Sequence, residues 1–144
     1  MKSQIQQFWS KRHYVLFGMS RKKESVSREV YTLMTCKGYD IYPINPNVDE
    51  IDGIRCYRHL ADINAPIDGA VIITNPTISH QVVRDCEQQG ITDFWFQYNT
   101  LDDALKTYMN EHNLNFINSC VLLHHKESPF PHSVHRFFYR LFNW

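Results

Sequence analysis

Four short clusters in the sequence carry residue types suited to holding a phosphorylated ligand. The first is Gly18-Met19-Ser20-Arg21-Lys22-Lys23, a glycine followed by a hydroxyl and three bases. Glycine lets backbone approach a ligand closely. Ser20 can donate its hydroxyl, and Arg21, Lys22 and Lys23 can pair with phosphate oxygens. The other clusters are Asn45-Pro46-Asn47, Thr74-Asn75-Pro76-Thr77 and Phe96-Gln97-Tyr98, rich in amides and hydroxyls. A lone Gly-x-Ser with bases is equally the composition of a tight turn with a solvated basic surface. The elements that position the clusters decide between the two.

Each cluster follows an apolar run. "YVLF" (14–17) is β-branched and aromatic and ends at Gly18. Val26, Val30, Leu33 and Met34 then share a helical face, with Ser25 as N-cap and Gly38 just past the end. "DIYPIN" (40–45) is a second strand, and Pro43 places it near an edge or bulge. Residues 46–66 read as irregular, with turn signals at Pro46, Asp52-Gly53 and Pro66 and one helical turn around His59 to Asp62. "GAVIIT" (69–74) is apolar throughout, as a strand covered on both faces must be. Ile78, Val82, Val83 and Cys86 form a helix closed by Gly90, and "TDFWFQ" (92–97) is a fourth strand. Thr100 with Asp103 gives a capping-box variant before the amphipathic series Leu101, Ala104, Leu105, Tyr108 and Met109. "NFINS" (115–119) supplies a fifth strand. This alternation predicts an α/β fold, a doubly wound parallel five-stranded Rossmann-like sheet with helices on both faces. The expected strand order is 3-2-1-4-5. Ligands bind such sheets beyond the carboxyl ends of the strands, and all four clusters fall on that edge.

Composition narrows the classes further. The chain has 144 residues, 43% hydrophobic and 21% charged, with zero formal net charge. One domain with a real core follows, and disorder or generic nucleic-acid binding is disfavoured. No apolar run approaches a membrane span, and "MKSQIQQFWSKRH" lacks the apolar centre of a secretory signal. Cys36, Cys56, Cys86 and Cys120 are widely spaced with no C-x-x-C pair, which reads as reduced core thiols in a cytoplasmic protein. His124, His125, His132 and His135 have only Cys120 and Glu127 as further donors, so they read as surface or packing residues and no metal is expected. The dinucleotide fingerprint G-x-G-x-x-G is missing, since no glycine follows Gly18 until Gly38. Asn45-Pro46 also stands where an acidic ribose ligand belongs. The nicotinamide reading loses twice.

The series "GMSR", "GYDIYPINP", "GIRCYRHLADI", "FWFQ" and "NSCVLLHH" resembles, in order and spacing, the stand-alone CoA-binding domain family related to the N-terminal domain of the succinyl-CoA synthetase alpha subunit. The resemblance covers about residues 13 to 125 and implies coenzyme A over the carboxyl ends of the strands. Carried over by position, Gly18, Ser20, Arg21 and Lys22 would meet the pyrophosphate or the 3′-phosphate. Asn45 and Pro46 would border the adenosine, while Asn75, Pro76 and Thr77 would line the pantetheine side with Gln97 nearby. The chain departs from the family at Asn47, where many relatives have Lys, and at "YNTLDD", where a Gly-Val-x-Asn run is usual.

Neither a Walker loop nor a nucleophile elbow is present, and the expectation is a non-catalytic protein that binds CoA or acyl-CoA. Cys120, near the end of strand five, reads as a core thiol, with a mixed disulfide to CoA as the minor alternative. The other functions in view are an NAD(P)-dependent oxidoreductase and a nucleotide-free Rossmann scaffold. The expected division is a CoA-binding domain over 1–128 and an extension over 129–144. In the extension Val134, Phe137, Phe138, Leu141 and Phe142 form an aromatic stripe at helical spacing. That stripe would pack on its own domain or serve a homodimer or partner interface, with a membrane-surface helix as the third reading.

Overall fold

The computed structural model describes residues 2–124. The expected extension over 129–144, which includes His132 and His135, lies outside the described residues, as do His125 and Glu127. Five parallel strands form the central sheet: β1 (His13–Phe17), β2 (Asp40–Ile44), β5 (Gly69–Ile72), β6 (Asp93–Phe96) and β7 (Asn115–Asn118). A two-residue antiparallel pair, β3 (Glu50–Ile51) with β4 (Ile54–Arg55), stands apart from it. The sheet carries helices on both faces, so the doubly wound α/β expectation holds.

The strand order does not. The sheet runs β2-β1-β5-β6-β7, which is 2-1-3-4-5 for the five principal strands rather than 3-2-1-4-5. The physical reason is residues 46–66, which form no crossover helix to carry the third strand outside the second. The chain instead makes the β3–β4 hairpin, a 3₁₀ turn at Leu60–Asp62, and returns to pair β5 with β1. Pro43 fits this order, because β2 is an edge and a proline there deprives no neighbouring strand of a donor. On its outer side, among the described residues, only Tyr57 pairs with it: the Tyr57 amide donates to the Pro43 carbonyl, and the Asn45 amide donates to the Tyr57 carbonyl.

Alternation along the strands sends side chains to two cores. Tyr14, Leu16, Val71, Trp95 and Ile117 meet α2 (Val26–Cys36) on one face. They also meet Phe8 and Trp9, at and just beyond the end of a short α1 (Lys2–Phe8) that the sequence pattern did not reveal. Phe8 and Trp9 are buried against Trp95, at centroid distances of 5.6 Å each. Val15, Phe17, Ala70, Ile72, Phe94 and Phe96 meet α3 (Pro76–Gln88) and α4 (Asp103–Glu111) on the other face. The caps at Ser25, Gly38 and Gly90 fall where expected. At α4 the cap is Asp102, accepting from the Leu105 amide at 2.8 Å, whereas the Thr100 hydroxyl turns back to the Gln97 carbonyl at 2.6 Å.

Candidate functional site

Chain direction switches between β1 and β5, because α2 leads outward to β2 while α3 leads the other way to β6. Such a switch opens a crevice at the carboxyl edge. Here its floor is the contact between Gly18 and the end of β5. Gly18 has φ of +98°, and a Cβ at this position would lie 2.2 Å from the Ile73 carbonyl oxygen. The glycine is therefore required twice, by its backbone angle and by the approach of a neighbouring strand.

Two clefts open from this floor, and both are lined by Gly18, Ser20 and Thr74. The first, about 660 Å³, lies between residues 44–61 and α3. Its wall is largely apolar, with Phe17, Ile44, Pro46, Leu60 and Val82, and carries Asn45, Asn47, Arg58 and His59. The second, about 600 Å³, lies between the first turn of α2 and the β6–α4 loop, with Lys22, Asn75, Gln97 and Tyr98 on its wall. The amino ends of α2 and α3 both reach this edge, bringing the positive ends of two helix dipoles to the same place. A third hollow of about 540 Å³ sits between α1 and the amino ends of β6 and β7. Its carboxylates are already engaged: Asp68 accepts from the amides of Arg12 and His13, and Asp93 accepts from Asn115.

The β1–α2 loop is held from behind. The Ser20 amide donates to the buried Ser27 hydroxyl at 2.9 Å, and the Lys22 amide donates to the Ser20 hydroxyl at 3.1 Å. Arg28 donates to the carbonyls of Ser20 (3.5 Å) and Arg21 (3.2 Å) and pairs with Asp52 in the β3–β4 turn at 2.9 Å. Ser27 and Arg28 are thus the supports that sequence reading missed. The segment Ser25-x-Ser27-Arg28, one helical turn from the basic cluster, is the signal that could have found them.

The expected site residues divide by position. Gly18, Ser20, Asn45, Pro46, Lys22, Asn75 and Gln97 all line one or both clefts. Arg21, Pro76 and Thr77 line neither, nor does Lys23; Pro76 is half-buried and the other three are exposed. Asn45 joins two strand ends, donating to the Met19 carbonyl at 3.0 Å and accepting from the Asn47 amide at 2.9 Å. Asn75 caps α3 by accepting from the Ile78 amide, and Pro76 takes the first helical position, where its missing N–H costs nothing. Gln97 is 1% exposed and its amide is used internally. It accepts from the Val121 amide at 3.0 Å and donates to the Cys120 sulfur at 3.2 Å.

Burial pushes the Cys120 thiol pKa up, so the sulfur is a poor nucleophile in this setting. Cys56 and Cys86 are also buried; Cys36 departs from the expected core thiols in being exposed. Among the described residues no group of His, Cys, Asp and Glu is placed to hold a metal ion. Nor is any helix there long and apolar enough to cross a membrane.

Residues 12–126 match the CoA binding domain family. The chain belongs to that family. The domain is 33% identical over 76 residues to an ADP-forming acetate–CoA ligase of Methanocaldococcus jannaschii, covering 53% of this chain and 11% of the ligase. It is 25% identical over 109 residues to the uncharacterized protein YneT of Bacillus subtilis, covering 75% of this chain and 81% of that one. Among solved structures, a hypothetical protein from Pyrococcus horikoshii OT3 superposes with a TM-score of 0.79 at 26% identity, covering 88% of this chain and 89% of the other. The chain thus spans a small fraction of the ligase and most of the smaller relatives.

Proposed function

We propose that this domain binds coenzyme A or an acyl-CoA in the cytoplasm and performs no reaction of its own, holding the nucleotide for sensing, carriage or presentation to a partner. The observation that carries the reading is the meeting of two clefts at Gly18 and Thr74, beneath two helix amino ends and a basic loop. A ligand with a flat base at one end, a pyrophosphate at its centre and a long chain at the other matches that shape. The pyrophosphate lies over Gly18 and Ser20, where backbone dipoles and Lys22 offset its charge. The adenosine enters the apolar first cleft beside Asn45 and Pro46. The pantetheine follows the second cleft past Asn75 and Pro76, with Gln97 shaping the wall. Arg21 and Thr77 stand at the outer rim. In this division residues 1–128 are the CoA-binding domain and 129–144 an extension that packs on it or on a partner.

Isothermal titration with CoA, acetyl-CoA, NAD and NADP tests the assignment. CoA and acetyl-CoA should bind, with affinity falling as salt rises and weakening in Ser20→Ala/Lys22→Ala. Binding of NADP alone would replace CoA with a nicotinamide nucleotide. Silence toward all four would leave a scaffold.

A further inference from the structure

The first cleft contains a pair of basic side chains that neither the basic loop nor the sequence pattern accounts for. None of Arg21, Lys22 and Lys23 lines it, and its strand-end residue Asn47 is neutral. The two basic side chains on its wall are Arg58 and His59, adjacent in sequence and contributed by the segment that replaces a crossover helix. Tyr57 pairs in parallel with the end of β2, so Arg58 and His59 follow it into the same cleft that Asn45 and Pro46 line.

Both side chains are available. Arg58 donates Nε to the Asp49 carboxylate at 2.7 Å, a bond that raises the guanidinium pKa and fixes its plane. Its two Nη groups have no partner among the described residues. The Arg58–Asp49 pair is exposed, at 47% and 79%, and such pairs contribute little in water. A dianion can therefore recruit this guanidinium at small cost, and the planar fork suits phosphate oxygens. His59 precedes the 3₁₀ turn at Leu60–Asp62 in extended conformation, and its imidazole makes no capping bond there. The apolar part of the same cleft wall suits a purine, beside the Arg58 guanidinium and the His59 imidazole.

We infer that Arg58 and His59 recognise the phosphate on the adenosine ribose, so that this site selects 3′-phosphorylated CoA over dephospho-CoA. The inference rests on the CoA reading above and adds the group that sets nucleotide specificity. It also separates two phosphate sites by origin. The pyrophosphate belongs to the β1–α2 loop, and the monophosphate to residues 58 and 59, about 40 positions along the chain.

Titration of the full chain with CoA and dephospho-CoA, in wild type and in Arg58→Gln/His59→Gln, reads this directly. Wild type should bind CoA roughly tenfold or more tightly than dephospho-CoA, the size expected of charge-assisted hydrogen bonds to one phosphate. The double variant should bring that ratio near one, with an unchanged thermal unfolding midpoint reporting an intact fold. Equal affinities in wild type, or a preference untouched by the double substitution, overturns the inference and leaves CoA binding standing. A preference that disappears in Lys22→Ala instead assigns the monophosphate to the loop and overturns it equally. Failure of both ligands to bind wild type removes the CoA reading itself, and this inference with it.

Discussion

The two clefts share a floor and differ in how their polar groups are employed. On the second wall those groups hold the protein to itself: Gln97 to Val121 and Cys120, Thr100 to Gln97, Asn75 to Ile78. In the first cleft, Arg58 spends one nitrogen on an exposed carboxylate, and the backbone of residues 46–61 is braced mainly by Tyr57 and by the Asn45 side chain. The difference teaches how to sort polar residues at a strand edge. An amide buried and doubly bonded shapes a wall, while a cation at the rim is left to meet a ligand.

The sharpest way to break both clefts at once is Gly18→Ala. The new methyl would collide with the Ile73 carbonyl in a backbone conformation that alanine disfavours. The expected loss is about 3 kcal/mol or more of stability, measured by urea unfolding. A variant that unfolds at the wild-type midpoint would show that the β1–β5 contact is not rigid. Gln97→Ala separates wall-building from ligand contact. It orphans the buried Val121 amide and leaves a void, for an expected cost of about 2–3 kcal/mol. CoA affinity of the folded fraction should change less than twofold, an order-of-magnitude bound for a group whose own bonds are internal. A large affinity loss at unchanged stability would reverse the assignment.

Much of this arrangement was legible in the sequence because local chemistry fixes it. Ser25, Gly38 and Gly90 cap where their types dictate, and the strands follow their apolar runs. Asp52 and Gly53 both adopt positive φ, as the turn signal required. Besides the supports Ser27 and Arg28, three things were hidden. Pro43 marked an edge, yet the order 3-2-1-4-5 would have placed its strand inside the sheet; reading that constraint through would have favoured the order observed. The helix α1 spans seven residues and presents its aromatic residues only at its end, too short a stretch for a clear period. Arg58 and His59 sit in a segment without periodicity, so only the chain path brings them to the cleft. Gln97 was misleading for the opposite reason: its place at a strand end suggests a ligand contact, and its burial against Cys120 and Val121 is a tertiary fact.

Within the basic cluster, the comparison predicts unequal roles for neighbouring residues. Lys22 lines the second cleft and Arg21 does not. Lys22→Ala should therefore weaken CoA binding by about 1 kcal/mol at low salt, roughly fivefold, and Arg21→Ala by clearly less. Titration calorimetry at two salt concentrations checks this. Equal losses in the two variants would mean that the cluster acts only through its summed charge.

The smallest expected effect concerns Asp102, which carries the polar bracing of the second wall outward to α4. Its carboxylate faces His80 of α3 at 2.9 and 3.0 Å and caps α4 at the Leu105 amide. The His80 hydrogen bond, then the amide, hold its pKa below the ordinary 3.8. A depressed carboxylate pKa means that the unfolded chain binds the proton more readily. Stability from this group is therefore fully present above its unfolded value and is lost as pH falls through the folded one. Asp102→Asn keeps a side chain that can cap the helix and removes the titration. Thermal unfolding between about pH 5 and pH 2 should fall less steeply in the variant than in wild type. The acid limb will not vanish, because Asp68 and Glu87 also have lowered pKa values. CoA affinity at neutral pH should be unchanged, since neither His80 nor Asp102 lines a cleft. Parallel acid limbs in the two proteins would show that the His80–Asp102 pair contributes nothing to holding α3 and α4 together.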